Sequence, residues 1–268
     1  MAGEYSFYEN DNFETALKQA QMLVYDAWEE NTAAKRRALA KKALKLSPLC
    51  ADAWSILAEL APMGSDEEID LCRRAFQAGK DALGPGGFKN AAGHFWGLLE
   101  TRPYMRARAA LAQALWERGE RDEAIAHLKA LLRLNPGDNQ GNRYVLAGWL
   151  ATASRNEELG KLLRKHRHDG APFFVWTAVL QSFRLDGGGE ATRKLMERAM
   201  AGNPYVPQCL NPYFAPRKRA PDYYTVGEIS EAQIYARDFG EAWKATPDAL
   251  RWVWEQKLTA GTKLFGAP

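Results

Sequence analysis

The sequence predicts an all-α fold, a right-handed solenoid of paired helices with one inserted helix and a C-terminal helical cap. Three observations predict it. Apolar residues recur at helical spacing through nearly every window between residues 13 and 202, as in Leu39, Ala43 and Leu46, or Ala124, Leu128, Leu131 and Leu132. No stretch alternates apolar and polar residues in the way of a half-buried strand. Prolines that end helices recur at related spacings, and the segments before them resemble one another.

Leu44-Lys45-Leu46-Ser47-Pro48 resembles Leu132-Arg133-Leu134-Asn135-Pro136, and Met200-Ala201-Gly202-Asn203-Pro204 resembles both. Pro136 and Pro204 lie 68 residues apart, twice 34, and 34 is the length of a tetratricopeptide repeat. In the frame set by Pro136, the small residues Ala112 and Ala124 fall at helix-contact positions, with Leu111, Leu115, Leu128 and Leu131 at other buried ones. The frame of Pro204 does the same for Trp176, Val179 and Ala199. Small residues let the two helices of a repeat approach, and proline cannot continue the second helix.

Residues 1–12 read as a tail and 13–202 as the repeat array. Pro48 to Pro85 is 37 residues, so that repeat carries a short insertion at Ala61-Pro62-Met63-Gly64. Pro85 to Pro136 is 51 residues, one and a half repeats, which requires an extra helix at about 88–100. Gly93 and Gly97 would share one face of it and let a neighbouring backbone come close. Pro103 suits the first turn of the next helix, and Gly119 separates the two helices that follow. Gly187-Gly188-Gly189 falls at the turn of a later pair. Residues 203–225 hold Pro204, Pro207, Pro212, Pro216 and Pro221 and read as an extended, aromatic-rich connection. Helices at about 227–244 and 247–257 form the cap within 226–258, the second with Thr246 as N-cap and Pro247 as its first residue. Residues 259–268 read as a tail. A cap is needed because the last repeat otherwise leaves an apolar face bare.

Composition narrows the function classes. A net charge of +3 is too mild to indicate a polyanion partner by itself, although Lys35-Arg36-Arg37, Lys41-Lys42 and Arg217-Lys218-Arg219 are basic clusters. The three cysteines, Cys50, Cys72 and Cys209, are odd in number and far apart, which argues for reduced, buried thiols and a cytoplasmic protein. The acidic, polar start MAGEYSFYENDNFE does not read as a signal peptide. No apolar run approaches the roughly 20 residues of a spanning helix, so no membrane partner is expected.

No catalytic set emerges, and neither a metal nor a cofactor is expected. His166 and His168 are two apart, point different ways on a helix and sit among Lys161, Arg164, Lys165 and Arg167, where cations favour a helix C-terminus. His127 reads as an outward, mid-helix residue, and His94 as a histidine packed and hydrogen-bonded between helices. The triple glycine lacks the preceding strand and following Lys-Ser/Thr of a phosphate loop. Adjacent carboxylates such as Glu29-Glu30 splay apart on a helix and are simply solvated.

The candidate site is therefore a binding groove. First helices of such repeats line the concave side, and in a repeat starting at Met105 the groove-facing residues are Arg106, Ala109, Gln113 and Trp116. Arg102, Arg106, Gln113, Trp116, Asn139 and Arg143 are the candidate ligand-binding residues. Arg106 with Arg143 or Asn139 could hold a carboxylate through paired N–H donors; alternatively, these arginines pair with Glu100 and Asp138 to fix the junction after the inserted helix. The expected partner is a protein or peptide segment, with or without an anionic group. The other reading is an accessory nucleic-acid or ribonucleoprotein factor using basic helix 35–45, disfavoured because that helix carries no stacking aromatics.

Asn135-Pro136-Gly137-Asp138-Asn139-Gln140-Gly141-Asn142-Arg143-Tyr144, preceded by Leu131-Leu132-Arg133-Leu134, resembles the motif of the "suppression of tumorigenicity" family. Gly93-His94-Phe95-Trp96-Gly97, Glu100-Thr101-Arg102-Pro103-Tyr104-Met105-Arg106 and Cys50-Ala51-Asp52-Ala53 resemble its small bacterial tetratricopeptide relatives, as does the tail through Tyr235, Trp243, Thr246-Pro247 and Trp252. The resemblance implies an α-helical repeat protein and carries no catalytic residue. The membrane association of animal members and the Cys/His zinc-binding tail of some bacterial ones have no counterpart in this sequence.

Overall fold

The computed structural model describes the backbone of residues 11–211 and 221–264 and the side chains of 14–211 and 221–258. The described residues form helices and connecting turns, with no strand among them. The chain divides into two compact units, residues 1–142 and 143–268, so the division falls within the expected 13–202 array.

In the first unit α1 (Asp11–Glu29) pairs with α2 (Ala33–Leu46), α3 (Ala51–Glu59) with α4 (Asp66–Asn90), and α5 (Arg102–Arg118) with α6 (Arg121–Leu134). Each helix packs on the next in chain order, and the first helices of successive pairs also touch, α1 on α3 and α3 on α5. Alanines make this possible. Ala20, Val24, Ala27, Ala40, Ala43 and Ala53 meet around Cys50 and Ile56, and Ala51, Ala75, Ala78 and Ala107 form a second contact beside Trp54. The Thr32 hydroxyl caps α2 by accepting from the Lys35 N–H, and Ser65 caps α4 by accepting from the Glu68 N–H. Gly119 ends α5 in the left-handed conformation, φ 91°.

The insertion takes a form other than the single helix expected at 88–100. Helix α4 breaks at Gly84, whose φ of 57° and ψ of 176° suit only glycine, and resumes at Pro85 to end at Asn90. Two 3-10 turns follow, Phe95–Gly97 and Leu99–Thr101. The physical reason is where the carbonyls go. The Thr101 hydroxyl lies against those of Phe95 and Leu98, and Arg102 Nε donates to that of Trp96 at 3.0 Å. Three carbonyls of the segment are thus engaged by side chains, and the Gly97 N–H takes the His94 carbonyl in a tighter i→i+3 turn. Gly93 is a turn residue at φ 82°, and neither it nor Gly97 has a neighbouring chain against it. The close backbone approach occurs at Gly79 of α4 instead, where a Cβ would stand 2.9 Å from the Tyr104 Cα.

The second unit holds α7 (Asn142–Thr152, its first residue in the other unit), α8 (Asn156–Lys165), α9 (Pro172–Asp186) and α10 (Glu190–Gly202), with α9 packed on α8 and on α10. Helix α9 is its centre, with Phe173, Phe174, Trp176, Thr177, Val179, Leu180 and Phe183 all buried. The connection after residue 203 is not wholly extended, since Val206–Leu210 forms a short helix, α11. Helices α12 (Ile229–Lys244) and α13 (Ala249–Leu264) follow, and α13 runs past the expected end near 257 into the stretch read as a tail from 259. Helix α12 packs on α9 through Tyr235 and Phe239, stacked at 4.7 Å and both against Phe173. The expected Thr246 N-cap is not formed. Thr246 donates to the Ala242 carbonyl and accepts from Arg184 Nε, and α13 starts at Ala249 after Asp248 at φ 61°.

Candidate functional site

Asp52 lies in the first turn of α3, where a carboxylate suits the helix dipole, yet it is only 1% exposed. A buried carboxylate needs partners. Arg106 of α5 supplies two, Nε to Oδ1 at 3.0 Å and Nη2 to Oδ2 at 2.5 Å, and Gln21 of α1 donates to Oδ2 at 2.9 Å. The Arg106 guanidinium also sits 5.3 Å from the centre of the Trp28 ring. One buried carboxylate thus ties together the first helices of three successive pairs.

Around this tie the surface is apolar. Met22, Tyr25 and Trp28, three residues apart along α1, are 59%, 46% and 40% exposed, and the Tyr25 and Trp28 rings lie 5.6 Å apart. A cleft of about 150 Å³ opens beside them. Leu17, Gln21 and Tyr25 form one wall, Leu99, Pro103 and Tyr104 the other, and Lys18 and Glu100 also line it. Exposed apolar stripes of this kind mark contact surfaces.

The six candidate residues divide. Arg106 takes Asp52 and leaves Glu100 exposed. Gln113, exposed on α5, donates to Glu117 at 2.8 Å, and half-buried Trp116 lies under the Arg121 guanidinium. Arg102 is bound to the Trp96 carbonyl and covers its ring, inside the insertion. Asn139 accepts from the Asn135 amide at 3.2 Å. Arg143, in the second unit, donates to Asp169 at 3.0 Å and to the Tyr144 hydroxyl at 2.6 Å. Burial would raise the Asp169 carboxyl, but the Ala171 N–H, Arg143 and Tyr144 hold it below its ordinary value. Burial and Asp169 push the Tyr144 hydroxyl up to about 12. Arg106 and Arg143, expected to hold a ligand's carboxylate, each already hold an aspartate of their own unit.

Sequence reasoning missed Asp52, Gln21, Tyr25 and Trp28. A lone aspartate at the start of a helix reads as a dipole partner, and its burial depends on a partner 54 residues away.

Two histidines are placed otherwise than expected. His94 is exposed, at the start of the first 3-10 turn. His127 is buried at 8% exposure, packs edge-on against Phe76, and accepts from Arg108 Nε at 3.2 Å through Nδ1. Burial first, and the neighbouring Arg108, lower its pKa. In the basic helix α2, Lys35 pairs with Glu30, Arg36 with Glu59, and Arg37 donates to the Leu60 carbonyl. Arg217-Lys218-Arg219 lies outside the described residues. Burial pushes the Cys50 and Cys72 thiols up to about 12, which leaves them unreactive. Among the described residues no group of His, Cys, Asp or Glu could hold a metal ion, and no helix is long and apolar enough to cross a membrane.

The fold and this surface define a class, the all-α proteins built from successive antiparallel helical pairs. More narrowly, residues 105–147, from α5 through α6 into α7, match the tetratricopeptide repeat family. Searches of curated proteins and of solved structures find no match to the chain.

Proposed function

We propose that the chain is a non-enzymatic scaffold or adaptor that holds a protein segment on the first-helix face of its repeats. The observation that carries this reading is the exposed Met22–Tyr25–Trp28 stripe beside the cleft, on the same face as Arg106. Tetratricopeptide repeats generally serve as protein-binding scaffolds. Gln113 and Trp116 extend the same surface along α5, while Arg102, Asn139 and Arg143 support their own surroundings. Because Asp52 already neutralises Arg106, the face selects its segment by aromatic and hydrogen-bond contact more than by a clamp on an anion. The proposal extends to a cytoplasmic setting, in keeping with three unpaired cysteines. It also includes kinship with the small bacterial relatives of the "suppression of tumorigenicity" family, on the motifs quoted above.

The test is a pull-down from the native host with mass spectrometry, followed by titration of each purified partner against the chain and its Trp28→Ala and Tyr25→Ala variants. Loss of about 2 kcal/mol or more per aromatic anchor is expected, a weakening of at least roughly tenfold, without a change in melting temperature. Binding should change little between low and physiological salt. A steep fall with salt, insensitive to Tyr25 and Trp28, would instead establish a polyanion partner.

A further inference from the structure

Most arginines among the described residues are engaged. Among the described residues, only the side chains of Arg133, Arg164, Arg167, Arg193 and Arg198 have no ion pair, hydrogen bond or ring contact. Three of these five, Arg164, Arg167 and Arg198, line one cavity of about 300 Å³ in the second unit. Its floor is a single face of α9, where Phe174, Ala178 and Leu185 follow one another at helical spacing. Leu163 and Arg164 of α8 stand on one side, with Arg167 just beyond that helix, and Leu195 and Arg198 of α10 stand on the other.

Two features of this cavity point to an occupant. Cations face it from both walls, while Asp169, the acidic residue in the lining, is held by Arg143, Tyr144 and the Ala171 N–H, and Glu157, the carboxylate near Arg164, is paired with Lys161. Two neutral polar side chains of the lining are engaged as well. Gln181 donates to the Asn156 carbonyl, and Ser182 accepts from the Thr192 hydroxyl. Between the arginines the surface is apolar, and Leu185 at its rim is 74% exposed. Its volume is at the small end for ligand pockets, room for one or two large side chains.

We infer that this cavity is a second docking site, which takes a protein segment carrying one large apolar side chain flanked by carboxylates. The apolar side chain fills the space over Ala178 and Leu185, and the carboxylates pair with Arg164, Arg167 and Arg198. Charge-assisted, two-pronged bonds of this type are what guanidinium makes best. A nucleic acid fits less well, because the phenylalanine in the lining, Phe174, is buried and offers no open stacking face. The site is independent of the α1 surface and goes beyond the function proposed for it.

The experiment is display selection of a random peptide library on the full chain, with counter-selection on the Arg164→Glu, Arg198→Glu double variant. The retained peptides are expected to share Leu, Ile, Met or Phe with Asp or Glu within a few residues. A synthetic consensus peptide should then bind at least tenfold more weakly to Arg198→Glu and to Leu185→Asp, and equally to Trp28→Ala. Arg198 and Leu185 are both exposed, so these variants leave the fold intact, which a melting curve verifies. No enrichment specific to the unmodified chain, or a consensus without acidic or without apolar residues, overturns the inference. So does an oligothymidylate that binds through the three arginines and is indifferent to Leu185→Asp.

Discussion

Arg106 stands between a structural and a binding role, and the buried carboxylate decides which dominates. Asp52 has almost no contact with water, so Arg106→Ala leaves it with the Gln21 amide alone. Removing one partner of a buried pair costs about 3 kcal/mol at the low end, and the low end applies because Arg106 itself is about one-third exposed. The expected outcome is a melting temperature lower by roughly 10 °C for a unit of this size. Charge-neutral Asp52→Asn with Arg106→Gln should recover part of that loss. A variant that binds poorly but melts normally would return Arg106 to the ligand.

His127 gives a second residue-scale prediction, for pH. It faces Arg108 of α5, Arg73 and Phe76 of α4, and Glu123 one turn before it. Its folded pKa is lowered, first by burial and then by Arg108, with Glu123 offsetting part. Above about pH 6.5, the ordinary histidine value, the ring is neutral whether folded or not. As pH falls below that, the unfolded chain takes up the proton first, so stability declines until the folded pKa is reached. The difference in melting temperature between the native chain and His127→Gln should therefore shrink or reverse from pH 7 to pH 5.5. A constant difference would mean that His127 does not titrate differently in the folded state.

Among the elements, helix existence was legible and helix contacts were less so. Periodicity, prolines and Gly119 located α2, α5, α6, α9 and α10, because amphipathic stripes and terminators are local signals. The insertion was legible as a length, 51 residues between prolines, and illegible as a conformation, since the side chains of Thr101 and Arg102 capture its carbonyls. The glycine that a close crossing needs is Gly79, which sits in an ordinary helical stretch with no sequence mark. Adding even a Cβ there requires α4 and α5 to separate, and the contact is with backbone, which cannot step aside. Gly79→Val should cost about 1–3 kcal/mol or more by overpacking, read as a lower urea midpoint with an unchanged slope. Gly97→Ala, with open space around it, should cost nothing comparable.

At the scale of the whole chain, the all-α repeat class was legible, but the division at 142/143 was not, because it depends on which residues pack together over long separations. The candidate site shows the same limit. Residues such as Arg106 were legible as polar groups at groove-facing repeat positions, while their partners, Asp52 and Asp169, were not. The second unit has a comparable tie in Arg184 of α9, half-buried and without a carboxylate. It donates to the Ala151 carbonyl at the end of α7, to Asn156 at the start of α8, to the Ala242 carbonyl near the end of α12, and to Thr246. Burial lowers its pKa, but four acceptors at 2.9–3.0 Å keep the cation in place, two of them carbonyls at the negative ends of helices. One guanidinium thus fastens the C-terminal helices to the repeat pair beside them. Lysine cannot reproduce this, because a point charge with three donors does not span four acceptors on separate helices. Arg184→Ala should destabilise by about 1.5–3 kcal/mol, the worth of a hydrogen bond to a charged group, since the Ala151 and Ala242 carbonyls keep the Ser154 N–H and the Thr246 hydroxyl as donors, and Arg184→Lys should recover less than half. Hydrogen exchange should quicken first in α12 and α13 and at the end of α7; exchange unchanged there would mean that the aromatic contact of Phe173, Tyr235 and Phe239 alone holds the cap.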